Sequence, residues 1–340
     1  MTDRALVAYH FGPSTEYVGG MASVIATLVD LKLGADVVRA VPTWRPGSHL
    51  RSGALAALGV AEVLRLPRST VIHVHMSAGG SFVREAAILA SARFRRMPRV
   101  VTIHGHHFAT FSARRPRLVA AVLRMATAIT VLSESDRAVV QRLVPDVHVE
   151  LMPNPMPLDL GARPVSDTPE VVLFAGEVGT RKGADVLHRA WRSVAASRPS
   201  ARCIIVGPAT ELKLADLERL EVSGAVSPER VRDLIREARV VALPSREEAL
   251  PMILSEAMAA GRPFVATPVG GVSSLAPGGL LVAVDDDRAL ASALIELLAD
   301  PGLAQALGTA GQALCKRWMA PDAVDSSLRR LYSAPRAAQA

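Results

Sequence analysis

The stretch PSREEALPMILSEAMAAGRPFVATPVGG, Pro244 to Gly271, follows the β-branched run VVAL and contains a second one, FVAT. Its middle therefore reads as a helix joining two strands. That helix is built from Pro, Met, Ile, Leu and Ala, yet it carries Glu256, and the loop before it carries Glu247 and Glu248. An apolar helix between apolar strands is expected to be buried, and a buried carboxylate is costly unless something pairs with it. Either the helix has a wet edge or a ligand meets the acid there. With Pro251 placed in the first helical turn, Glu248 stands at the helix mouth and Glu256 lies five residues past Pro251, about 7.5 Å along the axis.

Working outward, the same strand and helix rhythm runs through the chain. ALVAYHF, ADVVRAV, VIHVH, RVVTIHG, AITVLS and HVELMPN read as strands, with helical segments such as GMASVIATLVDLK and SFVREAAILASARF between them. After a polar, Pro-containing linker, Gly161 to Glu170, the rhythm restarts with VVLFAGE, ARCIIVG, LEVSG, VVALPS, PFVATP and LLVAV. Continuous apolar strands alternating with helices mean parallel sheets covered on both faces. The expectation is an α/β protein of two doubly wound, Rossmann-like domains: residues 1–160, residues 161–318, and a C-terminal helix, 319–340, that crosses back to the first domain and frays at its end.

Composition sets limits on function. The chain has 340 residues, half of them apolar and 21% charged, with only Cys203 and Cys315. That is globular, long enough for two cores, and without a zinc spacing or a disulfide framework. No run reaches the roughly 18 uncharged apolar residues of a membrane span, so a cytoplasmic protein, at most peripheral on the inner face of the plasma membrane, is expected. The net charge of +7 is unevenly spread: up to Leu160 there are 18 basic against 11 acidic residues, and from Gly161 onward 21 against 21. The excess gathers at Arg93, Arg95, Arg96 and Arg99, and at Arg114, Arg115, Arg117 and Arg124. A solvated Arg-rich surface accounts for this. So does an anionic acceptor or membrane, with Phe94 and Met97 inserting among the arginines. No run of stacking aromatics accompanies the charge, so no nucleic-acid partner is expected.

In doubly wound sheets, ligands sit outside the carboxyl ends of the strands, where helix N-termini attract anions. Gly19 and Gly20 follow the first strand and open a helix, which allows close backbone approach. Arg181 and Lys182 precede the helix after FAGEVGT, a poor place for cations unless an anion lies nearby. The run Asp285 to Asp287 evokes a metal-binding pair, but it precedes RALASALIELL, and helix capping is the better reading. Metal independence follows.

The Pro244–Gly271 stretch resembles the signature of glycosyltransferase family 4, retaining enzymes of the GT-B fold: two glutamates separated by seven residues, then A-M-A-x-G-x-P-x-V-A-T-x-x-G-G. The Gly-Gly loop, VIHVH, VTIHGHH, MPNPM and FAGEVGTRKG are similar to further family motifs. The resemblance implies two domains facing across a cleft and a nucleoside-diphosphate sugar, UDP- or GDP-linked, as donor with no bound cofactor. It implies that Glu256 holds the donor ribose, Glu248 contacts the transferred sugar, Lys182 binds the diphosphate and His104 lines the sugar pocket. Ala249, Leu250, Pro251 and Met252 would complete the anion cradle with Gly19 and Gly20. The chain departs from the family in carrying Glu177 where many members have Arg, and Arg181 is the candidate replacement. It also carries Ala249 and Leu250 where Gly-Phe-Gly is common after the first glutamate.

Chemically the task is departure of a nucleoside diphosphate from an anomeric carbon, which cations and helix dipoles stabilise. The expected reaction is hexosyl transfer with retention to a hydroxyl of a glycan, a lipid-linked or a small-molecule acceptor. The rivals are a sugar-nucleotide epimerase, a phosphorylase of the same architecture and a non-catalytic sugar-nucleotide-binding subunit.

Overall fold

The computed structural model describes residues 5–16, 19–47, 49–105, 107–157, 163–210 and 212–333. The chain divides into two compact units, one running through Pro155 and taken up again from Pro321, the other Met156–Ala320. In the first unit, strands β1 (Val7–Pro13), β2 (Val37–Trp44), β3 (Val71–Met76), β4 (Arg99–Ile103), β5 (Ala128–Val131) and β6 (His148–Leu151) form one sheet in the order β2-β1-β3-β4-β5-β6. Helices α1 (Gly20–Asp30), α2 (His49–Arg65), α3 (Gly80–Phe94), α4 (Phe108–Arg114), α5 (Pro116–Leu123) and α6 (Glu134–Leu143) connect them. In the second, β7 (Val171–Ala175), β8 (Arg202–Val206), β9 (Leu220–Ser223), β10 (Val240–Leu243), β11 (Phe264–Ala266) and β12 (Gly279–Leu281) take the order β12-β11-β10-β7-β8-β9. Its helices are α7 (Ala184–Ser197), α8 (Pro228–Glu237), α9 (Met252–Ala259), α10 (Asp287–Ala299) and α11 (Pro301–Leu314). A final helix, α12 (Pro321–Ser333), belongs to the first unit.

Every strand pair is parallel. Because helices cover both faces, the inner strands carry no polar stripe for solvent: β3, β4, β5, β7 and β10 are buried at every position. The Pro244–Gly271 stretch forms the β10-α9-β11 unit read from the sequence, with one shift. Pro251 is extended (ψ 122°) and stands at the N-cap, so the helix starts at Met252.

Helix α12 is tied to the first unit by side chains. Val324, Leu328, Leu331 and Tyr332 are buried, Asp325 Oδ1 accepts from the Gly34 amide at 2.6 Å, and Arg329 bridges Asp325 and Asp36. Gly34 has φ +86°, and a Cβ there would lie 2.6 Å from the Tyr332 ring and 2.7 Å from Leu328 Cβ. The helix thus rests on a backbone bend that only glycine adopts without strain. No single helix among the described residues is long and apolar enough to cross a membrane.

Truncating Leu328 to Ala removes the centre of this contact, and a loss of about 2–5 kcal/mol in unfolding free energy is expected from the cavity rule for buried leucines. Urea denaturation followed by circular dichroism measures it; a change below about 0.5 kcal/mol, the range of neutral surface substitutions, would show that α12 does not depend on this residue.

Candidate functional site

In the second unit the strand order reverses between β7 and β10: β8 and β9 extend one way, β11 and β12 the other. Loops after strands on either side of such a reversal diverge and leave a crevice at the carboxyl edge. The loop after β7 carries Arg181 and Lys182, and the loop after β10 carries Ser245 to Pro251. Two glycines allow close backbone approach to the second of these loops. A Cβ on Gly183 (φ +75°) would lie 1.9 Å from the Pro244 carbonyl oxygen, and one on Gly270 (φ +57°) 2.0 Å from that of Glu248. Arg246 ties the loops from the other side, donating to both Asp185 carboxylate oxygens at 2.9 Å and to the Thr180 carbonyl.

At this seam Lys182 Nζ meets Glu248 Oε1 at 2.6 Å, and Ser245 Oγ donates to the same oxygen at 2.8 Å. Their side chains are 17% and 6% exposed, so this is a largely dehydrated ion pair and Glu248 is no surface acid. Arg181 sits beside it but pairs with Glu177 at 3.3 Å. Both cations that the sequence placed before α7 therefore face a carboxylate of the protein itself. Pro251, at the N-cap of α9, makes no side-chain capping hydrogen bond. Glu256 lies one turn into that helix, half-buried, and its carboxyl is pushed up to about 7 by burial, with the Arg232 charge acting weakly the other way. The aspartate run is structural at all three positions: Asp286 caps α10 by accepting from the Ala289 amide at 2.8 Å, Asp285 pairs with Arg246 and Asp287 with Arg189.

In the first unit Gly19 stands at the N-cap of α1 and, as a glycine, brings no side-chain cap to it. Together with Gly20, Pro13, Trp44, Ser77 and Arg84 it lines a pocket of about 280 Å³ at the ends of β1 and β3, again a point of reversal in strand order. His104 follows β4, keeps 5% of its surface exposed, and places Nε2 2.9 Å from His75 Nδ1. Burial lowers its pKa to about 4, so the ring is neutral near pH 7.

The sequence reading missed four buried polar groups here. Glu85 on α3 lines the same pocket with 1% exposure, and burial drives its carboxyl up to about 7, opposed by the Thr43 hydroxyl and the Arg84 charge. It is an acid in an otherwise apolar helix face, the pattern already used for Glu256. His10, His73 and His75 are fully buried, and the signal was alternation: residues two apart on a strand share a face. One expectation fails. Met97 is 1% exposed and packs in the core, so it cannot insert into a membrane; Phe94, at 84%, stands alone. Arg99 is buried as well, donating to the Met97 and Met125 carbonyls, and Arg95 holds the Leu64 and Leu66 carbonyls. Part of the basic cluster is thus committed to holding backbone.

Comparison with known proteins agrees with this layout. Residues 26–155 match a family model described as glycosyl transferase 4-like domain, and residues 169–300 one described as glycosyl transferases group 1. A D-inositol 3-phosphate glycosyltransferase of Xylanimonas cellulosilytica is 32% identical over 224 residues, 59% of this chain and 53% of that protein. A GDP-mannose-dependent monoacylated alpha-(1-6)-phosphatidylinositol monomannoside mannosyltransferase of Corynebacterium glutamicum is 32% identical over 163 residues, 44% and 43% of the two chains. The chain spans about half the length of these curated relatives. Among solved structures, Anabaena HepE in complex with UDP superposes with a TM-score of 0.76 at 17% identity, over 96% of this chain and 100% of that one. Sucrose-phosphate synthase from Thermosynechococcus elongatus does so with 0.74 at 20%, over 96% and 98%. With its two units matched in order by these two domain types, the chain belongs to the glycosyltransferases of family 4.

Proposed function

We propose that the protein is a retaining, metal-independent glycosyltransferase that moves a hexose-type sugar from a UDP- or GDP-linked donor to a hydroxyl of an anionic acceptor. The observation that carries this is the Lys182–Glu248 pair, buried at the reversal of strand order and held by Ser245. A diphosphate arriving at that seam gives Lys182 a second anion, and the freed Glu248 oxygen becomes an acceptor for sugar hydroxyls, the strong bond a carboxylate makes. Positive charge is then present where the leaving group develops negative charge. Glu248 is engaged by a cation and a hydroxyl, which suits a hydrogen-bond acceptor better than a nucleophile. Retention then follows from same-face attack, with a leaving phosphate oxygen taking the acceptor proton. Glu256 on α9 serves the ribose. His104, in the first unit, is the proposed contact to the transferred sugar.

The acceptor class rests on charge and on the relatives' names. The part of the chain up to Leu160 holds the whole positive excess. The Xylanimonas relative is named for an inositol phosphate and the Corynebacterium one for a phosphatidylinositol mannoside, both of which carry phosphate. A screen of UDP- and GDP-sugars against phosphorylated polyols and phosphoinositide vesicles, with product analysis, tests donor and acceptor together. Hydrolysis, epimerisation or phosphorolysis without transfer to any acceptor would replace this proposal with one of its rivals.

Replacing Lys182 by Ala is expected to lower kcat at least tenfold, equivalent to about 1.4 kcal/mol of barrier; steady-state kinetics with the donor found in that screen reads it, and a wild-type rate would reduce Lys182 to a structural partner of Glu248. Glu256 adds a pH dependence. With a carboxyl titrating near 7, it is protonated below that pH and charged above it. If the charged form holds the ribose, affinity for UDP-glucose or GDP-mannose, neither of which titrates there, rises about tenfold from pH 6 to pH 8, the change in ionised fraction. Calorimetric titration should show that rise in wild type and a flat profile in Glu256→Gln. Activity is expected to survive EDTA, since all three aspartates of the 285–287 run have structural partners; loss restored by manganese would contradict this.

A further inference from the structure

The polar groups buried in the first sheet form one file. The strand register sets His10 of β1 against His73 of β3, His75 of β3 against Thr102 of β4, and Thr102 against Thr130 of β5. Their contacts run in sequence. Thr130 Oγ1 lies 2.6 Å from Thr102 Oγ1, which lies 2.6 Å from His73 Nε2. His73 Nδ1 lies 2.6 Å from the Tyr332 hydroxyl of α12, and that hydroxyl 3.4 Å from His10 Nε2. His10 Nδ1 lies 2.8 Å from His75 Nε2, and His75 Nδ1 2.9 Å from His104 Nε2. All seven side chains are buried. His104 Nδ1, the far end, has no partner among the described residues.

We infer that this file is a tautomer lock: Thr130, Thr102, His73, Tyr332, His10 and His75 together fix His104 as a neutral ring that carries its proton on Nδ1 and donates it to an oxygen of the substrate. The direction follows from counting donors. A neutral imidazole has one N–H and one lone pair, and a hydroxyl has one O–H. If each bond points toward His104, Thr130 donates to Thr102, Thr102 to His73 Nε2, His73 Nδ1 to Tyr332, Tyr332 to His10 Nε2, His10 Nδ1 to His75 Nε2 and His75 Nδ1 to His104 Nε2. Every proton in the interior then has an acceptor and every ring lone pair a donor. Reversed, the file ends on the Thr130 hydroxyl proton, which has no acceptor among the described residues, at a position with no exposure. An unmade bond of that kind costs about 1–3 kcal/mol, enough to bias the whole file. Neutrality is supported by burial, which lowers the pKa of His10 to about 3 and those of His73 and His75 well below the usual histidine value.

A metal is the competing use of three close histidines, since nitrogens of His10, His73 and His75 lie within 4.8 Å of one another. The geometry disfavours it. His73 and His75 stack at 15°, so their nitrogens do not converge on a point, and 2.8 Å is a hydrogen-bond length. Two nitrogens on one tetrahedral zinc, each at about 2.0–2.1 Å, would stand further apart.

The inference rests on the proposed role of His104 only for its kinetic consequence, and spectroscopy separates the two. In the full-length protein with 15N-labelled histidine, two-bond proton–nitrogen correlations report which nitrogen of His104 bears hydrogen. Wild type is expected to show Nδ1–H alone. Tyr332→Phe cuts the file in its middle and is expected to leave His104 in a mixture of both tautomers, with kcat reduced about threefold to tenfold and donor KM little changed. Thr102→Val should act in the same direction, while Thr102→Ser, which keeps the donor, should restore the wild-type spectrum and rate. An Nε2–H His104 in wild type, an unchanged tautomer in both Tyr332→Phe and Thr102→Val, or one equivalent of metal in the purified protein would each overturn the lock. His104→Ala with wild-type kcat, beside the expected spectra, would instead reject only the role of His104 at the sugar.

Discussion

Both sheets are covered on both faces, so any polar group on their inner strands must find its partner inside the protein. That constraint organises the molecule. In the first unit it forces the histidines and threonines of β1, β3, β4 and β5 into register, where each is the other's partner. It also explains why a tyrosine on α12, distant in sequence, is needed to bridge His73 and His10. In the second unit the same constraint leaves relief at the carboxyl edge alone, and that is where Lys182 and Glu248 stand.

A buried ion pair is weak evidence for stability, because the cost of dehydrating two charges offsets most of their attraction. Removing one partner is another matter, since it strands the other charge. The Lys182–Glu248 pair is therefore better understood as storage. On the proposed function, the cation and the carboxylate are held dehydrated and aligned, each neutralised by the other with Ser245 donating to the carboxylate, for a polyanion with hydroxyls to replace the internal partner. Arg246 supplies the rigidity this needs. Its guanidinium spans Asp185, Asp285 and the Thr180 carbonyl and so ties the loops independently of the Lys182–Glu248 pair.

What the sequence revealed and what it hid divide along this line. The inner strands were legible because buried parallel strands are continuous apolar runs, and Glu248 and Glu256 stood out because an acid in such surroundings is conspicuous. The capping role of Asp286 followed from its place before an apolar helix. Long-range pairing was not legible. Nothing local tells that Glu177 takes up Arg181, that Arg246 joins two loops, or that the Tyr332 hydroxyl reaches His73. Met97 misled for the same reason: among four arginines it reads as surface, but the backbone turns at Arg96 (φ +55°) and sends it into the core.

The signature stretch itself mixes two kinds of demand. Glu248 and Glu256 are the residues proposed to meet the donor, whereas most of the residues after them serve the fold. Gly261 (φ +67°) turns the chain after α9. Arg262, fully buried, donates to the Ile235, Arg236 and Arg163 carbonyls, and burial lowers its pKa to about 10. It satisfies the end of α8 and fastens the segment entering the second unit to the strand that follows α9. Gly270 then lets the chain return against the Glu248 carbonyl, and the Gly271 amide donates to Ala249 at 2.6 Å. The loop that positions Glu248 is thus closed by the far end of the same stretch. A chain that kept both glutamates but lost Gly270 would have the right chemistry in the wrong place, because any Cβ there collides with the backbone of the residue it is meant to hold.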